Sequence, residues 1–218
     1  MAIQAVIFDL DGVLVDSEQV WDAVREFYTR ETGGTWRADA TRAMMGMSSR
    51  EWSSYMRDEL GVPVDAERIS GEVARRVEER YRAGLPLLPG AQAAVRRLAA
   101  RWRLAIASSS NRPVIELVLQ LSGLAAQIGV VVSSEEVEHG KPAPDVYLTA
   151  AARLDVPPES CAAVEDSTNG LRAARAAGMR VIAVPNRTFP PSRAALASAD
   201  VVRESLDQLS AAEVDPTT

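Results

Sequence analysis

Hydrophobic and polar positions follow two patterns along this chain. In the first, short apolar runs typical of buried strands alternate with amphipathic helical segments. Strands are predicted near residues 3–8, 103–107, 128–132, 161–164 and 180–184, and helices near 91–101, 113–121, 145–154 and 169–177. This alternation predicts an α/β fold, a Rossmann-like doubly wound parallel sheet with helices on both faces.

The second pattern interrupts the first. Residues 17–85 are charged and helical in periodicity, with one helix beginning near Glu18 and others near 37–45, 49–60 and 65–83. We predict a core domain of residues 1–16 and 86–218, and an insert of residues 17–85 that forms a small α-helical cap over the carboxyl edge of the sheet. The connections near Asp16 and residues 84–86 are expected to act as hinges. The last residues, through Thr218, are expected to fray.

Composition narrows the functional classes. The chain has 218 residues, 47% of them hydrophobic and 25% charged, and a net charge of −6, which does not favour nucleic-acid binding. No apolar run reaches the roughly 20 residues of a membrane span. Cys161 is the only cysteine, so an internal disulfide is impossible. We expect a monomeric, cytoplasmic protein.

Polar residues gather where predicted strands end. Asp9 and Asp11 follow the first strand, residues 108–111 the second and residues 165–166 the fourth, while Lys141 precedes a helix. Parallel strands place their carboxyl ends at one sheet edge, where α/β folds bind ligands. Together, the carboxylates, hydroxyls and cation suit a phosphoryl group bound with Mg²⁺. Taken singly, each cluster could instead be a turn, a helix cap or a rigid loop.

The lysine is unusual in its own right. Of 24 basic residues, Lys141 is the only lysine. In a chain so biased towards arginine, a retained lysine indicates a site that needs a compact ammonium rather than a planar guanidinium. The alternative is the chance survival of a surface lysine.

Four segments then identify a family resemblance. They read DLDGVLVDSE, IASSSN, GKPAPDVY and VEDSTNG, and they resemble in order and spacing the four motifs of the haloacid dehalogenase superfamily of phosphotransferases. The insert resembles the small helical cap of that superfamily. Within it, the chain resembles the β-phosphoglucomutase-like branch, which includes hexitol- and deoxysugar-phosphate phosphatases.

The resemblance implies a role for each motif residue. It implies that Asp9 is the nucleophile, which forms an aspartyl-phosphate, and that Asp11 is the general acid and base. It implies that Lys141 neutralises charge on the nucleophile and the transferring group. Ser108, Ser109 and their neighbouring amides would hold phosphate oxygens.

The resemblance also implies a Mg²⁺ site and a further phosphate contact. The metal would bind the carboxylate of Asp9, the backbone carbonyl of Asp11 and the side chain of Asp166. Glu165 would assist directly or through water. Asn111, which ends the serine motif, is a further candidate for binding phosphate.

Substrate choice is expected to depend on the insert. The candidates are Glu18, Trp21, Met45, Gly46 and Arg50, of which Arg50 could contact a distal phosphate or hydroxyls, or lie on the surface. Trp21 stands where the mutases of this branch carry a histidine, which favours hydrolysis over phosphoryl transfer between sugar positions.

These implications favour one activity over several others. We expect a Mg²⁺-dependent phosphatase acting on a small phosphorylated metabolite, a sugar or polyol phosphate. The alternatives are a β-phosphoglucomutase-like phosphotransferase and a catalytically silent binding module. Asp11 argues against dehalogenation, because haloacid dehalogenases lack this acid/base aspartate. The lack of lysine in the insert argues against chemistry of the phosphonoacetaldehyde hydrolase type.

Overall fold

One six-stranded sheet organises the computed structural model, which describes residues 2–217. The strands are β1 (Ala5–Phe8), β2 (Arg103–Ser108), β3 (Val130–Ser133), β4 (Cys161–Glu165), β5 (Arg180–Ala183) and β6 (Val201–Val202). All neighbours pair in parallel, in the order β3-β2-β1-β4-β5-β6. The predicted parallel α/β fold is therefore confirmed. Only β6 was not predicted, because two residues carry no periodicity.

Both faces of this sheet are buried. Along β1, Val6 and Phe8 pack into one apolar cluster and Ala5 and Ile7 into another on the opposite face. Burial on both sides explains why the strand reads as a continuous apolar run rather than an alternating one. The helices of this part are α5 (Ala91–Ala99), α6 (Arg112–Ser122), α7 (Asp145–Leu154), α8 (Thr168–Ala176), α9 (Arg193–Ala197) and α10 (Ala211–Val214).

The insert is helical, as its periodicity predicted. It contains α1 (Glu18–Glu31), α2 (Ala40–Met44), α3 (Ser49–Asp58) and α4 (Ala66–Ala83). Helices α2 and α3 are shorter than predicted. Helix α3 ends at Asp58, and Gly61, in the turn that follows, has a φ of +71°. Buried side chains of α3 and α4 join the same apolar cluster that covers one face of the sheet.

The two connections to the insert lie side by side. Val15 pairs with Leu87 in an antiparallel bridge. The Asp16 N–H donates to the Pro86 carbonyl at 2.8 Å, and the Leu88 N–H donates to the Leu14 carbonyl at 3.0 Å. The chain therefore leaves and re-enters the sheet region at one place.

A hydrogen bond near the C-terminus ties Asp215 to the start of the chain. The Ile3 N–H donates to Asp215 Oδ2 at 3.1 Å. Asp215, near the C-terminus, is therefore bound to the segment that leads into β1. The expectation for Thr218 itself lies outside the described residues. Among residues 2–217, none of the helices combines the length and apolar character that crossing a membrane requires.

Candidate active site

A cavity of about 570 Å³ opens between the carboxyl edge of the sheet and the helices of the insert. Its walls come from loops at the ends of β1, β2 and β4, from helices α1–α3, and from residues 188–192 after β5. The following predicted residues line it: Asp9, Asp11, Glu18, Trp21, Met45, Gly46, Ser109, Lys141 and Asp166. The strand-end clusters are thus brought together around one space.

Lys141 joins two carboxylates at the floor of this cavity. Its Nζ donates to Asp9 Oδ1 at 2.8 Å and to Glu165 Oε1 at 2.6 Å, and all three side chains are buried. Burial raises the pKa of Asp9 to about 8, although the ammonium opposes the shift. Burial also disfavours the charged lysine, but the two carboxylates outweigh it, so the pKa of Lys141 is raised.

Glu165 has hydrogen bonds at both carboxylate oxygens. Besides Lys141, the Tyr147 hydroxyl donates to Oε1 at 2.7 Å. The Asp166 N–H and the Ser167 N–H and hydroxyl donate to Oε2 at 3.0, 3.3 and 3.2 Å. A Cβ on Gly170 would lie 1.9 Å from this carboxylate, so only glycine leaves room for it. This arrangement makes Glu165 the group that positions Lys141.

Three carboxylates form a candidate cation site. Asp9, Glu165 and Asp166 each offer an oxygen within 4.8 Å of the others. Within residues 2–217 the Asp166 carboxylate accepts no hydrogen bond, and burial, then Glu165 and Asp9, raise its pKa well above the usual range. One ammonium cannot balance three buried carboxylates, and an all-oxygen donor set suits Mg²⁺. The residues present therefore fit a divalent cation.

Gly12 makes room for this site. Its φ is +78°, and a Cβ there would lie 2.0 Å from Asp166 Oδ2. The backbone after β1 can therefore approach the Asp166 carboxylate only because residue 12 has no side chain.

Asp11 is held differently from Asp9. Its Oδ2 accepts hydrogen bonds from the Ser110 hydroxyl at 2.7 Å and the Ser108 hydroxyl at 3.3 Å. Its Oδ1 is buried and accepts no hydrogen bond from the described residues. The carboxyl group is thus fixed in orientation, with one oxygen left for a ligand.

Aromatic rings form the wall on the insert side. Trp21 and Trp52 meet edge to face, with centroids 6.0 Å apart. The Arg25 guanidinium carbon lies 5.0 Å from the Trp21 centroid and 4.7 Å from that of Trp52. No histidine lines this cavity: His139, the only one in the chain, has a side chain that is 63% exposed.

Comparison with known proteins identifies the family. The family model described as haloacid dehalogenase-like hydrolase matches residues 3–178. The chain belongs to the haloacid dehalogenase-like hydrolase family. The resemblance drawn from the four motifs is confirmed at this level.

Two proteins similar in sequence to this hydrolase are named as phosphatases. It is 34% identical over 195 residues to hexitol phosphatase B of Escherichia coli K12, covering 84% of each chain. It is 33% identical over 187 residues to a probable pseudouridine-5'-phosphatase of Drosophila melanogaster, covering 83% of this chain and 80% of that protein.

A solved structure shares the whole architecture. CbbY from Rhodobacter sphaeroides, in a mutant form bound to xylulose-(1,5)bisphosphate, is 28% identical. The two structures superpose with a TM-score of 0.87 over 98% of this chain and 99% of the other.

Two residues predicted to bind substrate lie elsewhere in this hydrolase. Asn111 and Arg50 line a second cavity of about 680 Å³ rather than the first. Asn111 is the N-cap residue of α6, where its Nδ2 donates to Glu135 Oε1 at 2.6 Å. Arg50 is exposed on α3. The structure therefore does not support either residue as a ligand of the phosphate or substrate in the first cavity.

Ser108 and Glu165 lie next to the cavity without lining it. Ser108 is fully buried as the last residue of β2, and its Oγ accepts from the Ser110 N–H at 3.0 Å, so it shapes the loop. Ser110, Tyr147 and Arg25 were not predicted as individual site residues. Ser110 and Tyr147 fall inside quoted motifs or at their ends, and Arg25 lies four residues after Trp21, on the same face of α1.

Proposed function

We propose that this hydrolase is a Mg²⁺-dependent phosphatase that removes phosphate from a small sugar or polyol phosphate through an aspartyl-phosphate on Asp9. The observation that carries the proposal is the pairing of two unlike aspartates. Asp9 is bound to Lys141, whereas the neighbouring Asp11 is held by serines and keeps one oxygen free. The phosphatase names of the relatives support the same reaction class.

In the first step, a carboxylate oxygen of Asp9 attacks phosphorus and the bond to the leaving oxygen breaks. Asp11, entering in its protonated form, gives its proton to that oxygen, so the product leaves as a neutral alcohol. Lys141 stabilises the negative charge that builds up on the transferring group. Its contact with Glu165 keeps the ammonium beside the nucleophile.

In the second step, water attacks the phosphorus of the aspartyl-phosphate. Asp11, now a carboxylate, accepts a proton from this water, and the acyl-phosphate bond breaks to regenerate Asp9 and release inorganic phosphate. The serine contacts keep the Asp11 carboxyl group in one orientation through both steps. One residue thus serves as acid and then as base.

The carboxylates of Asp9 and Asp166, with the backbone carbonyl of Asp11, would hold Mg²⁺, with Glu165 beside them. When bound, the ion supplies positive charge that screens the phosphate from these carboxylates and stabilises the transferring group.

The insert is assigned the role of a cap. We assign residues 17–85 to the cap and residues 1–16 and 86–218 to the core, because the paired connections at Val15 and Leu87 mark one junction. Side chains from both parts line the cavity, so a substrate held there is enclosed from both sides. Glu18, Trp21, Met45 and Gly46 contribute from the cap side.

A phosphate-release panel tests this proposal. Purified protein is incubated with hexitol phosphates, pentose and hexose phosphates and pseudouridine 5'-phosphate, with MgCl₂ or with EDTA. We expect release with MgCl₂ that EDTA abolishes, no turnover by Asp9→Asn, and a loss of about 10²- to 10⁴-fold in kcat for Asp11→Asn. Asp58→Asn, an exposed aspartate on α3, is the matched control and should retain full activity. Full activity of Asp9→Asn would contradict the nucleophile assignment.

Incubation with β-glucose 1-phosphate separates hydrolysis from mutase activity. Free glucose and phosphate indicate a phosphatase, whereas glucose 6-phosphate indicates a mutase. The lack of any imidazole on the cavity wall supports hydrolysis. A complete absence of phosphate release across the panel, with MgCl₂ present, would favour a silent binding module.

A further inference from the structure

Arg25 is a cavity-lining cation without a polar partner. It lines the first cavity from α1, and it forms no hydrogen bond or ion pair with any described residue. Its Nε atom is buried and unpartnered. The rings of Trp21 and Trp52 give it cation–π contacts at 5.0 and 4.7 Å, which satisfy none of its N–H donors.

The carboxylates near Arg25 attract its charge but do not form an ion pair with it. Glu18, Asp22 and Asp11 attract it, but none lies within ion-pair distance, and Asp22 already accepts a hydrogen bond from Thr41 at 2.6 Å. Burial lowers the pKa of Arg25 to about 10, with the acidic neighbours opposing the shift, so the side chain is charged at neutral pH. Partial burial of a charged group whose N–H donors have no acceptor destabilises the folded protein, unless a bound ligand accepts those hydrogen bonds.

A second arginine reinforces this side of the cavity. Arg42 of α2 also lines it and forms no ion pair with any described carboxylate. Half-buried Arg25 and exposed Arg42 thus both line the cavity from the insert, where Glu18 is the acidic residue of the lining. The opposite, sheet-side end carries Asp9, Asp11 and Asp166 with Lys141. Arginines therefore outnumber carboxylates in the lining from the insert, whereas carboxylates outnumber the single lysine in the lining from the sheet edge.

We infer that Arg25 is a specificity-determining residue that binds a second anionic group of the substrate, a carboxylate or a second phosphate, on the insert side of the cavity, across from the sheet edge. This inference rests on the proposed function, because it takes the sheet-side end as the place of phosphoryl transfer. A guanidinium binds both kinds of anion through paired N–H donors. The inference thus gives Arg25 the contact with a distal phosphate that the sequence analysis considered for Arg50.

Three open-chain six-carbon substrates test the inference. Sorbitol 6-phosphate has a neutral far end, 6-phosphogluconate a carboxylate, and sorbitol 1,6-bisphosphate a second phosphate. We expect kcat/KM to be higher for at least one of the two doubly anionic compounds than for sorbitol 6-phosphate. Arg25→Gln should lower that preference about ten- to hundredfold, the effect of one charge-assisted hydrogen-bonded contact. Which compound is preferred distinguishes carboxylate from phosphate.

Two further variants separate binding from a structural role. Arg25→Lys keeps the positive charge and should retain part of the preference. Arg50→Gln removes an exposed arginine outside the first cavity and should leave the preference unchanged. A folding defect alone would lower kcat/KM equally for all three compounds in both Arg25 variants. That equal loss, or a wild-type preference for sorbitol 6-phosphate, would overturn the inference.

Calorimetric binding keeps this test independent of turnover. The three compounds are titrated into Asp9→Asn and into Asp9→Asn combined with Arg25→Gln. If wild-type protein releases no phosphate from these compounds or from the full panel, but the Arg25-dependent binding preference is present, the proposed phosphatase function fails and the assignment of anion binding to Arg25 stands. If hydrolysis occurs with no such preference in rate or affinity, the inference fails alone. Absence of binding by all three compounds also overturns it.

Discussion

Among single residues, Glu165 contributes most to the geometry of the site without lining the cavity. It accepts hydrogen bonds from Lys141, Tyr147, the Asp166 backbone and Ser167. A side chain held by this many donors has one orientation, and it passes that orientation to the lysine ammonium. The position of the ammonium beside Asp9 therefore depends on residues that do not line the cavity.

Tyr147→Phe tests this dependence. The substitution removes one donor to Glu165 and keeps the ring that lies 5.0 Å from Lys141 Nζ. Losing a buried hydrogen bond to a charged acceptor should lower the free energy of unfolding by about 1–3 kcal/mol in urea titrations. We expect kcat to fall several-fold with little change in KM, because the lysine is less well positioned while the cavity keeps its shape.

Tyr55→Phe is the matched control for this change. The Tyr55 hydroxyl is buried and accepts or donates no hydrogen bond among the described residues, so its removal should cost less stability and leave kcat unchanged. Equal effects of the two substitutions on stability and kcat would contradict the positioning role of Tyr147.

The sequence predicted the residues of the site that lie at strand ends. Asp9 and Asp166 were found because parallel strands carry them to one edge, whereas Lys141 was found as the only lysine, just before a helix; the structure brings all three together. Arg25 and Tyr147 were missed because each acts from a helix face. What a helix face contacts depends on packing with distant segments, which periodicity does not encode.

Among the elements, the presence of each strand and longer helix was predicted better than the residues at which it begins and ends. The strands and longer helices follow from hydrophobic periodicity, but their ends depend on local hydrogen bonding. Helix α6 begins at Arg112, one residue earlier than predicted, and Asn111 is its N-cap residue and lines the second cavity rather than the first. A difference of one residue at a helix start changes which side chain caps the helix and which side chain lines a cavity.

The N-cap of α4 offers a test at this scale. Asp65 accepts a hydrogen bond from the Arg68 N–H at 2.9 Å, which satisfies one of the free donors at the helix start. We expect Asp65→Ala to lower the free energy of unfolding by about 1 kcal/mol in urea titrations.

The same substitution at the N-cap of α2 provides the comparison. Asp39 forms no capping hydrogen bond and only pairs with Arg37 at the surface. Asp39→Ala should therefore have a smaller effect than Asp65→Ala. A larger effect at Asp39 would show that the capping contact does not stabilise α4.

At the scale of the whole molecule, charge links folding to metal binding. Asp9, Glu165 and Asp166 are buried together with Lys141 as the one neighbouring ammonium in the described structure. Their mutual repulsion destabilises the folded protein, and a cation that binds only the folded form relieves it.

We therefore expect MgCl₂ to raise the Tm of the wild-type protein in a thermal melt. NaCl at equal ionic strength should raise it much less, because screening reaches buried charges poorly. In Asp166→Asn the increase with MgCl₂ should be smaller, since one ligand and one negative charge are gone. An increase of the same size in that variant would place the cation elsewhere.

The side-by-side connections at Val15 and Leu87 have a consequence for how such a protein changes over evolutionary time. A segment whose two ends meet can be lengthened, shortened or exchanged without altering the register of the strands that flank it. The residues that we propose for phosphoryl transfer and those that we propose for substrate selection then occupy separate stretches of the gene. Recombination or rapid divergence within the inserted stretch can give a new substrate preference, while the inherited chemistry of the sheet edge stays intact.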